Sequence, residues 1–328
     1  MVNPQTSTSA KPLSLRRTIN ICMGCMGIYF GVQIIVALYP SLMIGFMNAR
    51  LGYYYYYSPV LDTLNQLLVN LVTLFATVAS GGMAAWFGIK MMGVNLKAQF
   101  EQTHFDRSWI FKGAAMMFAA NLILSWLVSL LNSLLGVFGT GIDQVGLSNA
   151  GGVAGFLLNF LMAVVAAPFF EEVIFRGIMC KSLARFNKGF AVIFSALLFG
   201  IAHMNLYQAI PAFGMGIILA FVYLRSGSLW VPILMHAINN FMALLETYAP
   251  VLFSILISLV MIVLAVVGVY YIYKERRQFA GVFRQNRNAK GEWKAVRSNG
   301  GFWVLIVIFA LICLFGLIGT IFLNVALY

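Results

Sequence analysis

Long apolar runs alternate with short polar segments along this chain, at a spacing set by the thickness of a bilayer. A helix of roughly 20 apolar residues crosses about 30 Å of hydrocarbon with every backbone group satisfied internally. Nine such runs are predicted as spans, over 19–46, 60–88, 112–136, 152–180, 189–205, 208–225, 229–247, 250–273 and 302–325. The fifth and sixth are joined tightly, between Met204 and Tyr207. A polar tail, 1–17, precedes the first span, and a basic loop, 274–301, separates the last two. The first apolar run is too long for the apolar part of a signal peptide and lacks a clear cleavage site, so it reads as a retained span. The pattern predicts an all-α polytopic transmembrane bundle of about 8–9 spans, without a soluble domain or an internal repeat.

Composition sharpens this picture. The 328 residues are 62% hydrophobic and only 9% charged, far from the balance of a soluble domain. The net charge of +12 raises the question of a nucleic-acid partner, but the distribution of the basic residues answers it. With the N-terminus in the cytosol, 20 of the 21 Lys and Arg fall on the inner side, and only Arg50 is left outside. That asymmetry is a topology signal and agrees with an odd number of spans. The basic loop is expected to lie against anionic lipid headgroups, making the bilayer itself the partner and excluding nucleic acid. The run of five tyrosines at 53–57 fits an interfacial aromatic belt. Cys22 and Cys25 form a CxxC inside a span with no second pair, which argues against metal or redox duty. Gly24, Gly27 and Gly31 offer a small face for helix packing.

One stretch breaks the apolar rule. "PFFEEVIFRG", residues 168–177, carries Glu171, Glu172 and Arg176 at the end of an apolar run. A charge at the bilayer centre costs roughly 2.5–3.5 kcal/mol even on a lenient scale. At 100° per residue, Glu172 and Arg176 are about 40° apart around the helix and can neutralise each other. Glu171 and Arg176 are about 140° apart, so Glu171 is expected to point elsewhere and needs another reason to exist. Two of the three histidines, His203 and His236, lie in later spans, and Asn240 shares the face of His236, with Asn239 one position nearer. At 1.5 Å per residue, Glu171 lies about 15 Å from Lys181, His203 about 22 Å from Lys188 and His236 about 16 Å from Arg225. A carboxylate, two imidazoles and a carboxamide at similar depth make an acid/base and oxyanion-stabilising set with no visible nucleophilic Ser or Cys.

Glu171-Glu172-x-x-x-Arg176, Phe199-x-x-x-His203 and His236-x-x-x-Asn240, in that order and on predicted spans, resemble the three motifs of the CAAX-protease and bacteriocin-processing (CPBP, formerly Abi) family. That family includes the eukaryotic Ras-converting CAAX endopeptidase. The resemblance covers about residues 150–248 and divides the chain into the tail 1–17, N-terminal helices 18–149, a catalytic core 150–248 and C-terminal helices 249–328. It implies an intramembrane endopeptidase whose cavity opens to the cytosol, acting on a peptide or protein substrate, lipidated or not, in a bacterial cell membrane. Glu171 would be the general base, with His203 holding a water, and His236 and Asn240 stabilising the oxyanion. Glu172, Arg176 and Phe199 would support them, with Phe199 packed on the His203 ring. No cofactor is favoured. The alternative within the enzyme class is a zinc site of Glu171, His203 and His236, against which stand the poor zinc affinity of Asn and the lack of HExxH. A transporter or a non-catalytic immunity or scaffold protein is the alternative of another class.

Overall fold

A computed structural model describes residues 13–51, 59–102, 104–137, 140–142, 149, 151–284 and 289–326, and among them the regular structure is entirely helical. Helix α1 spans Leu15–Leu51, α2 Pro59–Met92, α3 Leu96–Phe100 and α4 Ser108–Gly136. A composite helix follows over Gly152–Leu183. It comprises α5 (Gly152–Asn159), a first π-helical stretch (Phe160–Ala166), α6 (Ala167–Glu172), a second π-helical stretch (Val173–Cys180) and α7 (Lys181–Leu183). The remaining helices are α8 (Lys188–Ala202), α9 (Leu206–Ser226), α10 (Trp230–Tyr248), α11 (Val251–Arg284), α12 (Lys290–Arg297) and α13 (Gly300–Ala326).

Among the described residues, seven helices are long and apolar enough to cross a membrane: α1, α2, α4, the composite helix, α9, α11 and α13. The chain is therefore an integral, multi-pass membrane protein. The two other predicted spans are helical but differ in kind. Helix α8 has 15 residues, about 22 Å of rise, and nearly all of it is buried among other helices rather than facing lipid. Helix α10 has 19 residues, and His236, Asn239, Asn240, Glu246 and Thr247 dilute its apolar character. The predicted basic loop 274–301 is largely helical, because α11 continues to Arg284, α12 covers Lys290–Arg297 and α13 begins at Gly300. Helix α1 likewise begins at Leu15, inside the predicted tail, whereas the tail's residues 1–12 and the tyrosine run 53–57 lie outside the described residues.

Sequence explains the tight turns that hold α8, α9 and α10 together. The Asn187 side chain accepts from the Phe190 N–H at 3.0 Å and starts α8; Asn205 does the same for Gln208 at 3.1 Å and starts α9. Between them Met204 takes a positive φ of 50°, which folds the chain back directly after His203. Gly227 ends α9 in the left-handed conformation, φ 70°, that glycine adopts without a Cβ clash. In the core α2 and α8 pack on the second π stretch, α10 packs on the first, and α4 lies between α9 and α11. Gly81 of α2 admits the composite helix closely: a Cβ there would come within 2.5 Å of Phe170. On α1, a Cβ at Gly24 would meet Phe87, whereas at Gly27 and Gly31 it would meet no described residue within 4 Å, so among the described residues the expected small face is confined to Gly24. Cys22 and Cys25 are buried free thiols in the core.

Candidate active site

The two π stretches bracket the glutamates, and side chains of other helices donate to a backbone carbonyl in each. In the first, the Ala167 N–H reaches back five residues to the Met162 carbonyl. The matching donor for the Ala163 carbonyl would be residue 168, which is a proline and has no N–H. Asn240 supplies the missing donor, its Nδ2 donating to the Ala163 oxygen at 2.8 Å. Around the second stretch, Gln99 Nε2 donates to the Gly177 oxygen at 3.2 Å, and Gln99 Oε1 accepts from Tyr223 Oη at 2.5 Å. Breaks of this kind occur often at functional sites, because they free polar groups and re-aim side chains.

Between these breaks the two carboxylates grip one imidazole. Glu172 is fully buried; its Oε1 accepts from Arg176 Nη1 at 3.0 Å and from His236 Nδ1 at 2.9 Å. Arg176, also fully buried, donates from Nη2 to the Gly216 oxygen at 3.3 Å and lies 4.4 Å from the centre of the Phe199 ring. Glu171 is partly open, with 12% of its side chain exposed, and its Oε2 is 3.9 Å from His236 Nε2. The pairing of Glu172 with Arg176 matches the helical-spacing argument. The expectation that Glu171 points elsewhere does not hold fully, since both glutamates face His236 from opposite ring nitrogens. A uniform 100° per residue fails here because the glutamates end a six-residue α segment between two wider turns.

Hydrogen bonding fixes the tautomers of both histidines. A carboxylate and a carbonyl only accept, so His236 Nδ1 carries the hydrogen toward Glu172. His203 Nδ1 likewise donates to the Phe199 oxygen at 3.0 Å. Each ring is left with Nε2 as its working atom. Phe199 packs edge-on to both, at 5.1 Å from His203 and 5.6 Å from His236, and so walls two imidazoles rather than the one expected. A carboxamide chain extends from the site: Asn121 Nδ2 donates to Asn239 Oδ1 at 3.3 Å, and Asn239 Nδ2 to Asn240 Oδ1 at 3.2 Å.

Glu171, His203, His236, Asn239 and Asn240 line one cavity of about 630 Å³. Glu172, Arg176 and Phe199 lie beneath it, fully buried. The cavity runs from this cluster toward the helix ends remote from the basic segments, past Pro211, Gln208 and Tyr207 on α9 and Ala243, Glu246 and Thr247 on α10. On the basic side, within about a turn and a half of the cluster, Phe175, Leu219, Val231 and Met235 are completely buried and make up its floor. The cavity at the cluster is lined by no residue of the basic segments among those described, whereas the resemblance implies an opening on their side. His203 also borders a second cavity of about 320 Å³, shared with Asn205, Leu206 and residues of α13.

Two groups at the site were not anticipated. Tyr29 on α1 donates from Oη to Glu171 Oε1 at 3.2 Å, and Asn121 on α4 anchors the carboxamide chain. Neither lies in a motif, and 142 residues separate Tyr29 from its partner. As placed here, Glu171, His203 and His236 are not drawn together as a metal site: among the described residues, no three His, Cys, Asp or Glu side chains are grouped to hold a metal ion.

Fold and site together define a membrane-embedded helical bundle with a buried carboxylate, imidazole and carboxamide centre. Residues 153–242, which hold the whole cluster except Tyr29 and Asn121, match the family model described as type II CAAX prenyl endopeptidase Rce1-like. A curated Bacillus subtilis (strain 168) protein, described as "Putative membrane peptidase YdiL", is 34% identical over 95 residues, 29% of this chain and 39% of that protein. The chain thus spans about two fifths of the length of the curated relative it matches. No solved structure matches it. These matches support assignment of the segment to the CAAX-protease and bacteriocin-processing family.

Proposed function

We propose that the protein is an intramembrane endopeptidase that hydrolyses a peptide bond of a membrane-associated peptide or protein through a glutamate-activated water. The observation that carries this reading is the convergence of Glu171, His203, His236 and Asn240 on one cavity, inside the segment that matches the CAAX-endopeptidase family model. In the mechanism, Glu171 Oε2 takes a proton from a water held also by His203 Nε2. The resulting hydroxide attacks the substrate carbonyl. Asn240 Nδ2 and, when protonated, His236 Nε2 donate to the developing oxyanion, each well-aimed donor contributing roughly 3–4 kcal/mol. Glu171 then returns its proton to the leaving amine as the C–N bond breaks. Glu172 holds His236 by Nδ1 and Arg176 neutralises Glu172, so the pair positions the imidazole without touching the reacting atoms. Tyr29 fixes one Glu171 oxygen and leaves the other for water.

No metal takes part in this mechanism. The setting is a bacterial cell membrane, with the basic segments and the N-terminus in the cytosol. The test is cleavage of a proteome-derived peptide mixture by the purified full chain in detergent, with and without a strong chelator. Cleavage that persists in chelator, with well under one metal per chain by elemental analysis, is the expected result. Activity that vanishes with the metal and returns with stoichiometric zinc would replace it by the metalloprotease reading. No cleavage under any condition would favour a non-catalytic immunity or scaffold protein, or a transporter.

A further inference from the structure

The cavity is much longer than the cluster at its end needs. Glu246 is ten residues beyond His236 on α10, which sets it about 15 Å further along the helix axis. Over that distance the lining offers Ser125, Tyr207, Gln208 and Thr247, whose side chains suit the N–H and C=O groups of an extended chain. Among the described residues its charged groups are the carboxylates Glu171 and Glu246, and no described Lys or Arg lines it. The Ser258 hydroxyl donates to Glu246 Oε1 and holds that carboxylate in place at the far end of the cavity. Arg107, Lys112, Lys181, Lys188 and Arg225 all mark the opposite ends of these same helices, behind the packed floor.

We propose that this polar arm is a substrate channel that admits an extended polypeptide segment from the face opposite the basic loops and reads a basic side chain at Glu246. The inference rests on the peptidase reading of the cluster for the meaning of "substrate", but its geometry does not depend on turnover. An extended chain advances about 3.3 Å per residue, so 15 Å corresponds to roughly four or five residues. A Lys or Arg that far from the scissile bond would meet Glu246 while the bond lies at Glu171. With the basic segments cytosolic, the substrate arrives from the non-cytosolic face.

The test uses a thiol placed in the channel wall and an impermeant maleimide, applied to sealed cells and to inverted vesicles. The full chain carries Cys313→Ser with Ala243→Cys; Cys22, Cys25 and Cys180 are buried, and the parent without Ala243→Cys measures their background. Gly281→Cys, in open surroundings on the basic segment, marks that face. Ala243→Cys is expected to label from the face opposite Gly281→Cys. Decapeptides with Lys at the fifth position should slow this labelling about five-fold more than the same peptides with Ala or Glu there, the scale of one partly buried charge-assisted hydrogen bond. Glu246→Gln should erase the difference. If Ala243→Cys does not accumulate, Thr247→Cys occupies the same wall and serves in its place. Labelling from the Gly281→Cys face, or equal protection by Lys, Ala and Glu peptides, overturns the proposal. Protection of Ala243→Cys by Lys peptides, beside a wild-type chain that cleaves nothing, would instead keep the channel and remove the peptidase reading.

Discussion

The core helices behave differently on the two sides of Glu171. Directly beneath the cluster, toward the basic segments, they pack closely: Phe175, Arg176, Phe199, Leu219, Val231 and Met235 are buried completely, Glu172 pairs with Arg176, and a separate cavity of about 510 Å³ appears only nearer the basic ends, at Gln99, Lys181 and Arg185. Toward the other face the same helices separate around a polar cavity. Glu171 and Glu172 are neighbours in sequence but belong to different sides of this boundary, one partly open to the cavity and one sealed beneath it. Charges inside a membrane protein need adjacent structure that compensates for them, and the paired Glu172 and Arg176 lie in the buried layer beneath Glu171.

Breaking the floor should have the largest effect on stability. Glu172→Ala strands Arg176, with 0% exposure, and also frees His236 Nδ1, so a destabilisation of about 3–5 kcal/mol is expected in thermal or denaturant unfolding in detergent. On the cavity side, Asn240→Ala removes an oxyanion donor and the partner of the Ala163 carbonyl. Turnover should fall about 10²–10³-fold, read as kcat with a near-constant KM. Tyr29→Phe deletes one neutral donor to Glu171 and should lower kcat/KM by about ten-fold or less, with an unchanged melting temperature. A lipid-facing change such as Val266→Ala, at a side chain 66% exposed on α11, should shift stability by only about 0.5 kcal/mol and leave turnover alone.

Much of this was legible in the sequence, for physical reasons. Span-length apolar runs announce membrane helices, and all nine runs are helical where described. The i, i+4 spacing of Glu172 and Arg176 announces their ion pair, which forms at 3.0 Å. The motif spacing named the side chains that line the cavity. What stayed hidden depends on contacts distant in sequence or on departures from regular geometry. The π stretches around Ala167–Glu172 turn Glu171 toward His236, and no periodicity argument at 100° per residue anticipates that. Pro168 carries no local signal that the Ala163 carbonyl it deprives of a donor is met by Asn240, 77 residues away. Tyr29, one of many aromatic residues in an apolar span, carries no local signal of its contact with Glu171. The direction of the cavity is set by which side packs, and the family resemblance implied the opposite direction.

The division between the two glutamates is tested most directly by measuring peptide cleavage and melting temperature side by side for Glu171→Gln and Glu172→Gln in the same detergent. Glu171→Gln should lose turnover by about 10³-fold or more while keeping the wild-type melting temperature, since the substitution removes a base and leaves the floor intact. Glu172→Gln should lower the melting temperature clearly and retain measurable cleavage in the fraction that stays folded. Full activity in Glu171→Gln, or a stable and inactive Glu172→Gln beside an unstable Glu171→Gln, would contradict the account.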